Sequence, residues 1–261
     1  MFSVLRARLR QKYRTMAYPA APAAALSDRF AGRPAIQAAA EELGEGLAHC
    51  PTGALHLAEG QGRIDLGKCL FCRACERACA PGRVHFSGDH RMAAARRADL
   101  VVGRGAAGPA PARNELASRL FRRSLKLRQV SAGGCNACEA DCNVLTTLAW
   151  DIGRFGIQFV ASPRHADGLL ITGPVTRNME LAVRKTYQAV PSPKIVIAAG
   201  ACAISGGPYL GHPEQCDGAA GIVPVDLFIP GCPPHPLTIL DGLLRFLGRL
   251  GEGDLISQES L

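Results

Sequence analysis

The chain reads as an α/β protein: a parallel sheet covered by helices on both faces, preceded by a smaller α+β module rich in cysteine. Three observations predict this. First, the apolar runs at 155–161 (FGIQFVA), 168–173 (GLLITG), 194–200 (KIVIAAG) and 226–231 (DLFIPG) are short and unbroken, as in strands buried on both faces. Second, helical patterns lie between or after them, at 178–190 (NMELAVRKTYQAV) and 235–250 (HPLTILDGLLRFLGRL). In the latter, Leu237, Leu240, Leu243, Leu244 and Leu247 recur at i, i+3, i+4 spacing, and such alternation builds a parallel sheet. Third, the HCPTGALHL and RIDLGKCLFCRACERACAPGRVHFSGD segments each join a cysteine motif to a short apolar run.

In chain order, residues 1–33 form a basic arm. Val4, Leu5 and Leu9 lie among Arg6, Arg8, Arg10 and Lys12, and an Ala/Pro-rich stretch follows. The arm reads either as a grip on a partner or membrane surface or as a mobile terminus. Residues 34–102 form the cysteine-rich module, within which IQAAAEELGEGLA (36–48) reads as a helix. Residues 103–114 (GRGAAGPAPARN) have the composition of a linker. The sheet domain spans 115–250 and opens with a basic helix, or helix plus strand, at 113–130. Residues 251–261 are a tail.

The 261 residues suffice for one well-cored domain and a smaller one. Aromatic residues are only 5%, which argues against stacking on nucleic-acid bases, and no nucleic-acid partner is expected. Charge is uneven. Residues 1–130 carry 22 Lys+Arg against 10 Asp+Glu, a net of +12, while residues 131–261 carry 8 against 12, a net of −4. A basic half joined to an acidic one suggests docking onto anionic lipid or an acidic protein. Eleven cysteines without an apolar export signal suggest a thiol-preserving compartment rather than a disulfide framework. The expected location is therefore cytoplasmic, with any membrane contact peripheral on the inner face. No apolar run is long enough to span a bilayer.

Two thiol constellations carry the chemistry. Cys69, Cys72, Cys75 and Cys79 follow C-x2-C-x2-C-x3-C, with Cys50-Pro51 upstream. This is the bacterial ferredoxin spacing for four-iron clusters. The second set is Cys135, Cys138, Cys202 and Cys232: one close pair and two distant single cysteines, each beside glycine. Cys202 follows KIVIAAG and Cys232 follows DLFIPG, so both sit beyond the carboxyl ends of strands, where open α/β sheets place their sites. A four-iron cluster fits this set; structural zinc is the alternative, although zinc sites usually pair two close C-x-x-C knuckles.

The GxCNxCE motif, ADGLLITGPVTRNM (167–179), GACAISGG (200–207) and PGCPPHPLTILDGLL (231–244) resemble the small subunit of group 4, energy-converting or formate hydrogenlyase-type, [NiFe]-hydrogenases. That family is related to the 20 kDa cluster subunit of respiratory complex I. The resemblance covers about residues 115–248, and residues 34–102 look like a bacterial-type ferredoxin domain fused ahead of it. It implies a flavodoxin-like sheet and a [4Fe–4S] cluster on Cys135, Cys138, Cys202 and Cys232. It further implies a [NiFe] large-subunit partner, a further redox subunit or ferredoxin-type partner, and membrane subunits in some assemblies. The complex I subunit typically has two adjacent cysteines where this chain has C-x-x-C, which favours the hydrogenase side. The implied function is electron transfer through two [4Fe–4S] clusters, within a complex that interconverts protons and hydrogen. The alternative is a complex I-like quinone or ferredoxin oxidoreductase subunit without hydrogenase activity. A third reading is a cluster-bearing structural or redox-sensing protein.

In two-cluster ferredoxins the fourth cysteine of each run binds the other cluster. By that rule Cys50 joins Cys69, Cys72 and Cys75, and Cys79 is a spare thiol; the opposite assignment recruits Cys79. Cys142 and Cys216 read as structural thiols. Glu139 and Asp141 read as helix-capping carboxylates, with proton transfer as the other option. No nucleotide, flavin or hydrolase motif occurs.

Overall fold

The computed structural model describes residues 2–12, 14–19, 26–105 and 114–251. The inner part of the Ala/Pro-rich stretch, most of the linker and nearly all of the tail lie outside the described residues. The elements run α1 (Phe2–Gln11), β1 (Pro34–Ile36), α2 (Gly44–Ala48), β2 (Leu55–Ala58), β3 (Gln61–Asp65), α3 (Ala74–Ala78), β4 (Val84–Phe86) and β5 (Val101–Gly103). They continue with α4 (Glu115–Phe121), β6 (Leu125–Ser131), α5 (Ala137–Val144), β7 (Ile157–Phe159), β8 (Gly168–Thr172), α6 (Arg177–Ala189), β9 (Ile195–Ala199), α7 (Ala201–Ser205), β10 (Leu227–Ile229) and α8 (Pro236–Phe246).

Strands β6 to β10 form one sheet in the order β10-β9-β8-β6-β7, with every neighbouring pair parallel. Counted from β6, this is the 2-1-3-4-5 order of a doubly wound, flavodoxin-like sheet. Every residue of β8 and β9 is buried, which is why these central strands read as unbroken apolar runs. The strand order reverses between β6 and β8, where Ser131 lies in register with Thr172. Crevices at such switch points are where these sheets place their sites.

The earlier part of the chain is built from short antiparallel pairs. β1 pairs with β4, and β2, β3 and β5 make a three-stranded sheet. The stretch 36–48 is not one helix. Ile36 ends a strand whose burial alternates, Ala40–Leu43 is a 3-10 turn, and only Gly44–Ala48 is α-helical. Ile36, Ala38 and Leu43 enter the core, and two glycines make a longer helix unfavourable.

The two halves share a core. Leu66, Met92 and Leu100 pack in the same cluster as Ala198, Ala203, Ile204 and Phe228. Ala94 exchanges both backbone hydrogen bonds with Phe228, covering the β10 edge, and Ser205 Oγ donates to Gly67 O at 2.8 Å. The arm is also docked over residues 15–18. Met16 N donates to Ala149 O at 2.8 Å, and the buried Tyr18 hydroxyl donates to Asp241 Oδ1 on α8 at 2.7 Å. This part of the arm is therefore neither extended nor free. Helix α8 is buried around almost its whole circumference: the sheet covers one side, while Tyr18 and Ala93 pack in the cluster on it.

Candidate metal centre

The second thiol set gathers at the switch-point edge. Cys135 follows β6, Cys138 lies in the first turn of α5, Cys202 lies in the first turn of α7 behind β9, and Cys232 follows β10. The structure brings these four together. Burial first, then Cys202, Glu139, Cys142 and Cys232, hold the Cys138 thiol far above its ordinary range. Burial, Cys232 and Cys135 push Cys202 up to about 11. Two glycines make the approach possible. A Cβ on Gly200 would lie 2.6 Å from Cys138 Sγ, and one on Gly207 would lie 2.7 Å from Cys202 Sγ. Both residues also have positive φ, at 95° and 58°, so the backbone closes against the sulfurs where no side chain fits.

The first set assembles around α2 and α3. Burial raises Cys69 to about 12, and its nearest thiols are Cys75, Cys50 and Cys72. Burial and then Cys50 raise Cys75 to about 11, with Cys72 adding to the effect. Backbone amides already point at two of these sulfurs: Phe71 N donates to Cys69 Sγ at 3.3 Å and Leu55 N to Cys50 Sγ at 3.4 Å. Cys79 is buried. Its sulfur faces α2, where a Cβ on Gly46 would sit 2.5 Å from it, and it is not among the thiols acting most strongly on Cys69 or Cys75.

Cys232 is raised by burial, by Cys135 and then by Cys72 of the other set. Beside Cys232 lies a cleft of about 230 Å³, lined by Phe71, Met92, Asp141, Cys232 and His235 among others.

Residues 135–246 match the family described as the NADH:ubiquinone oxidoreductase 20 kDa subunit. A probable membrane-bound hydrogenase subunit of Pyrococcus furiosus is 43% identical over 134 residues, 51% of this chain and 80% of that protein. The chain belongs to this family. Formate hydrogenlyase subunit 7 of Escherichia coli is 44% identical over 53% of this chain and 57% of its own length. An NADH-quinone oxidoreductase subunit of Clostridium beijerinckii is 43% identical over 42% of this chain and 66% of its own length. The family match takes in Cys135, Cys138, Cys202 and Cys232 and leaves the Cys50–Cys79 module outside it.

One feature of this 20 kDa-type domain was not legible as such in the sequence. Glu139 does not cap α5. Its Oε1 accepts 2.6 Å hydrogen bonds from the Ser131 and Thr172 hydroxyls, which tie the carboxyl ends of β6 and β8 to the helix bearing Cys138. Burial would raise this carboxyl, but the two hydroxyls and its own backbone N–H outweigh that and hold it low. The only hint was a pair of hydroxyl residues at the ends of apolar strands. Asp141 lines the cleft, and burial raises its carboxyl. Cys142 is fully buried in the sheet core, and Cys216 sits beside Glu180, 3.7 Å from its Oε2. His235 Nδ1 accepts from Leu237 N and caps α8.

Proposed function

We propose that this chain is the electron-transfer small subunit of an energy-converting [NiFe]-hydrogenase complex. In this reading Cys135, Cys138, Cys202 and Cys232 hold one [4Fe–4S] cluster, and Cys50, Cys69, Cys72 and Cys75 hold a second within a ferredoxin-like unit. The observation that carries the reading is the family match over residues 135–246, which holds Cys135, Cys138, Cys202 and Cys232, together with the likeness to two hydrogenase subunits. The thiols suit the group. Burial and neighbouring thiols oppose the ionisation of Cys69, Cys75, Cys138, Cys202 and Cys232, and a cationic iron–sulfur core would reverse this. All eleven cysteines are free. Among the described residues no three or more His, Cys, Asp or Glu are grouped so as to hold a metal ion.

When bound, such clusters supply reversible one-electron transfer. The chain's own residues fix the geometry for it. Gly200 and Gly207 let the backbone close on Cys138 and Cys202, and Glu139 anchors the Cys138 helix to the strand ends. The shared core around Ile204 and Phe228 holds the two thiol sets at a fixed separation. Hydrogen chemistry belongs to a nickel-bearing large subunit on another polypeptide, and electrons pass onward to a further redox subunit. The expected location is cytoplasmic, and no described helix is long and apolar enough to cross a membrane.

The similarity to the clostridial NADH-quinone oxidoreductase subunit sustains a second reading, in which the partner lacks nickel. Anaerobic purification from the native source decides between them. The hydrogenase reading expects a co-purifying large subunit with two C-x-x-C pairs, bound nickel and hydrogen-dependent dye reduction. A nickel-free partner carrying quinone or ferredoxin activity would replace it with the second reading.

A further inference from the structure

Helix α1 differs from the other α-helices among the described residues in burying no residue. Phe2, Leu5 and Leu9 are 87%, 54% and 79% exposed. At 3.6 residues per turn these three fall within an arc of about 60°. Arg6 and Arg10 flank the arc on one side, and Arg8 and Lys12 on the other. No acidic residue occurs from Phe2 to Lys12. The foot of the helix is fixed to the body, because Thr15 Oγ1 donates to Leu148 O at 3.1 Å and Met16 N to Ala149 O at 2.8 Å. Leu148 is itself 71% exposed.

We propose that α1 is an interfacial helix that lies on an anionic lipid surface, with Phe2, Leu5 and Leu9 dipped below the headgroups. The charge pattern selects this occupant. A narrow apolar stripe between two cationic rows matches a plane that is apolar beneath and negative on top. The opposite face offers little to a protein groove that would wrap the helix, since it carries Ser3, Ala7 and Gln11 with Val4 as its one large apolar side chain. This inference does not depend on the thiol sets and stands or falls without them.

The test uses the full-length chain free of membrane subunits, floated with phosphatidylcholine vesicles and with vesicles containing phosphatidylglycerol. The chain is expected to float with the anionic vesicles only and to be released at high salt. Leu5→Glu/Leu9→Glu should abolish flotation. Arg6→Gln/Arg10→Gln should weaken it roughly 25-fold, about fivefold for each charge. Because α1 buries nothing, both variants should unfold thermally as the parent does, which separates lost binding from lost folding. Equal flotation with neutral vesicles would overturn the proposal, as would undiminished flotation of the Leu5→Glu/Leu9→Glu chain. So would variants that keep lipid binding but detach the chain from its partner subunits, for then α1 is a protein-docking helix.

Discussion

Glu139 shows how one side chain can organise a site. Its carboxylate is fed by two hydroxyl donors, and Thr172 is completely buried. Glu139→Ala removes the acceptor and leaves both hydroxyls without it, which should cost about 1–3 kcal/mol. Glu139→Gln keeps an acceptor oxygen and should cost less; urea unfolding of the two variants measures the difference. The thiols permit a sharper comparison. Cys79 faces α2, whereas Cys50 acts directly on Cys69 and Cys75. Cys79→Ser should therefore leave the iron content unchanged, and Cys50→Ser should lower it by about four atoms, one cluster's worth. Iron loss in Cys79→Ser alone would reverse the assignment.

At the scale of elements, the strands of the sheet domain were legible because burial on both faces writes itself as unbroken apolar runs, as in GLLIT and IVIAA. The close spacings Cys69–Cys72–Cys75 and Cys135–Cys138 stand out in the sequence because they are local, whereas Cys202 and Cys232 stand out only by following strands. The stretch at 36–48 was misread because Ile36 and Ala38 alternate with exposed neighbours, a strand pattern too short to outweigh the following helix formers. The docked arm left no signal at all. An Ala/Pro-rich segment has no period, and its anchor joins Tyr18 to Asp241, 223 residues away. That anchor makes a pH prediction. Burial, then Asp241, push the Tyr18 phenol well above its ordinary range. Its contribution is thus fully present below pH about 10 and is lost as pH rises toward the folded-state value. Tyr18→Phe should cost about 1–2 kcal/mol near neutrality and should flatten the alkaline loss of stability. Denaturant melts at pH 8 and above pH 10 check both, and an unchanged alkaline limb would count against the anchor.

Across the whole molecule, the two cysteine-bearing halves share one hydrophobic cluster. The shared core makes the halves cooperative, so Ile204→Ala, at a site only 3% exposed, should cost about 2–5 kcal/mol. Hydrogen exchange should show that loss in β3 and β5 as well as in β9. Protection lost only around β9 would mean the halves unfold separately. The most direct measurement of the two-cluster relay is iron analysis with EPR on the reduced, anaerobically prepared full-length chain. If the two sets hold neighbouring clusters, the expected result is about eight iron atoms per chain, two four-iron clusters, and two reduced-cluster signals that broaden each other. Four iron atoms with one signal, bound zinc in place of iron, or two signals with no mutual broadening would contradict it.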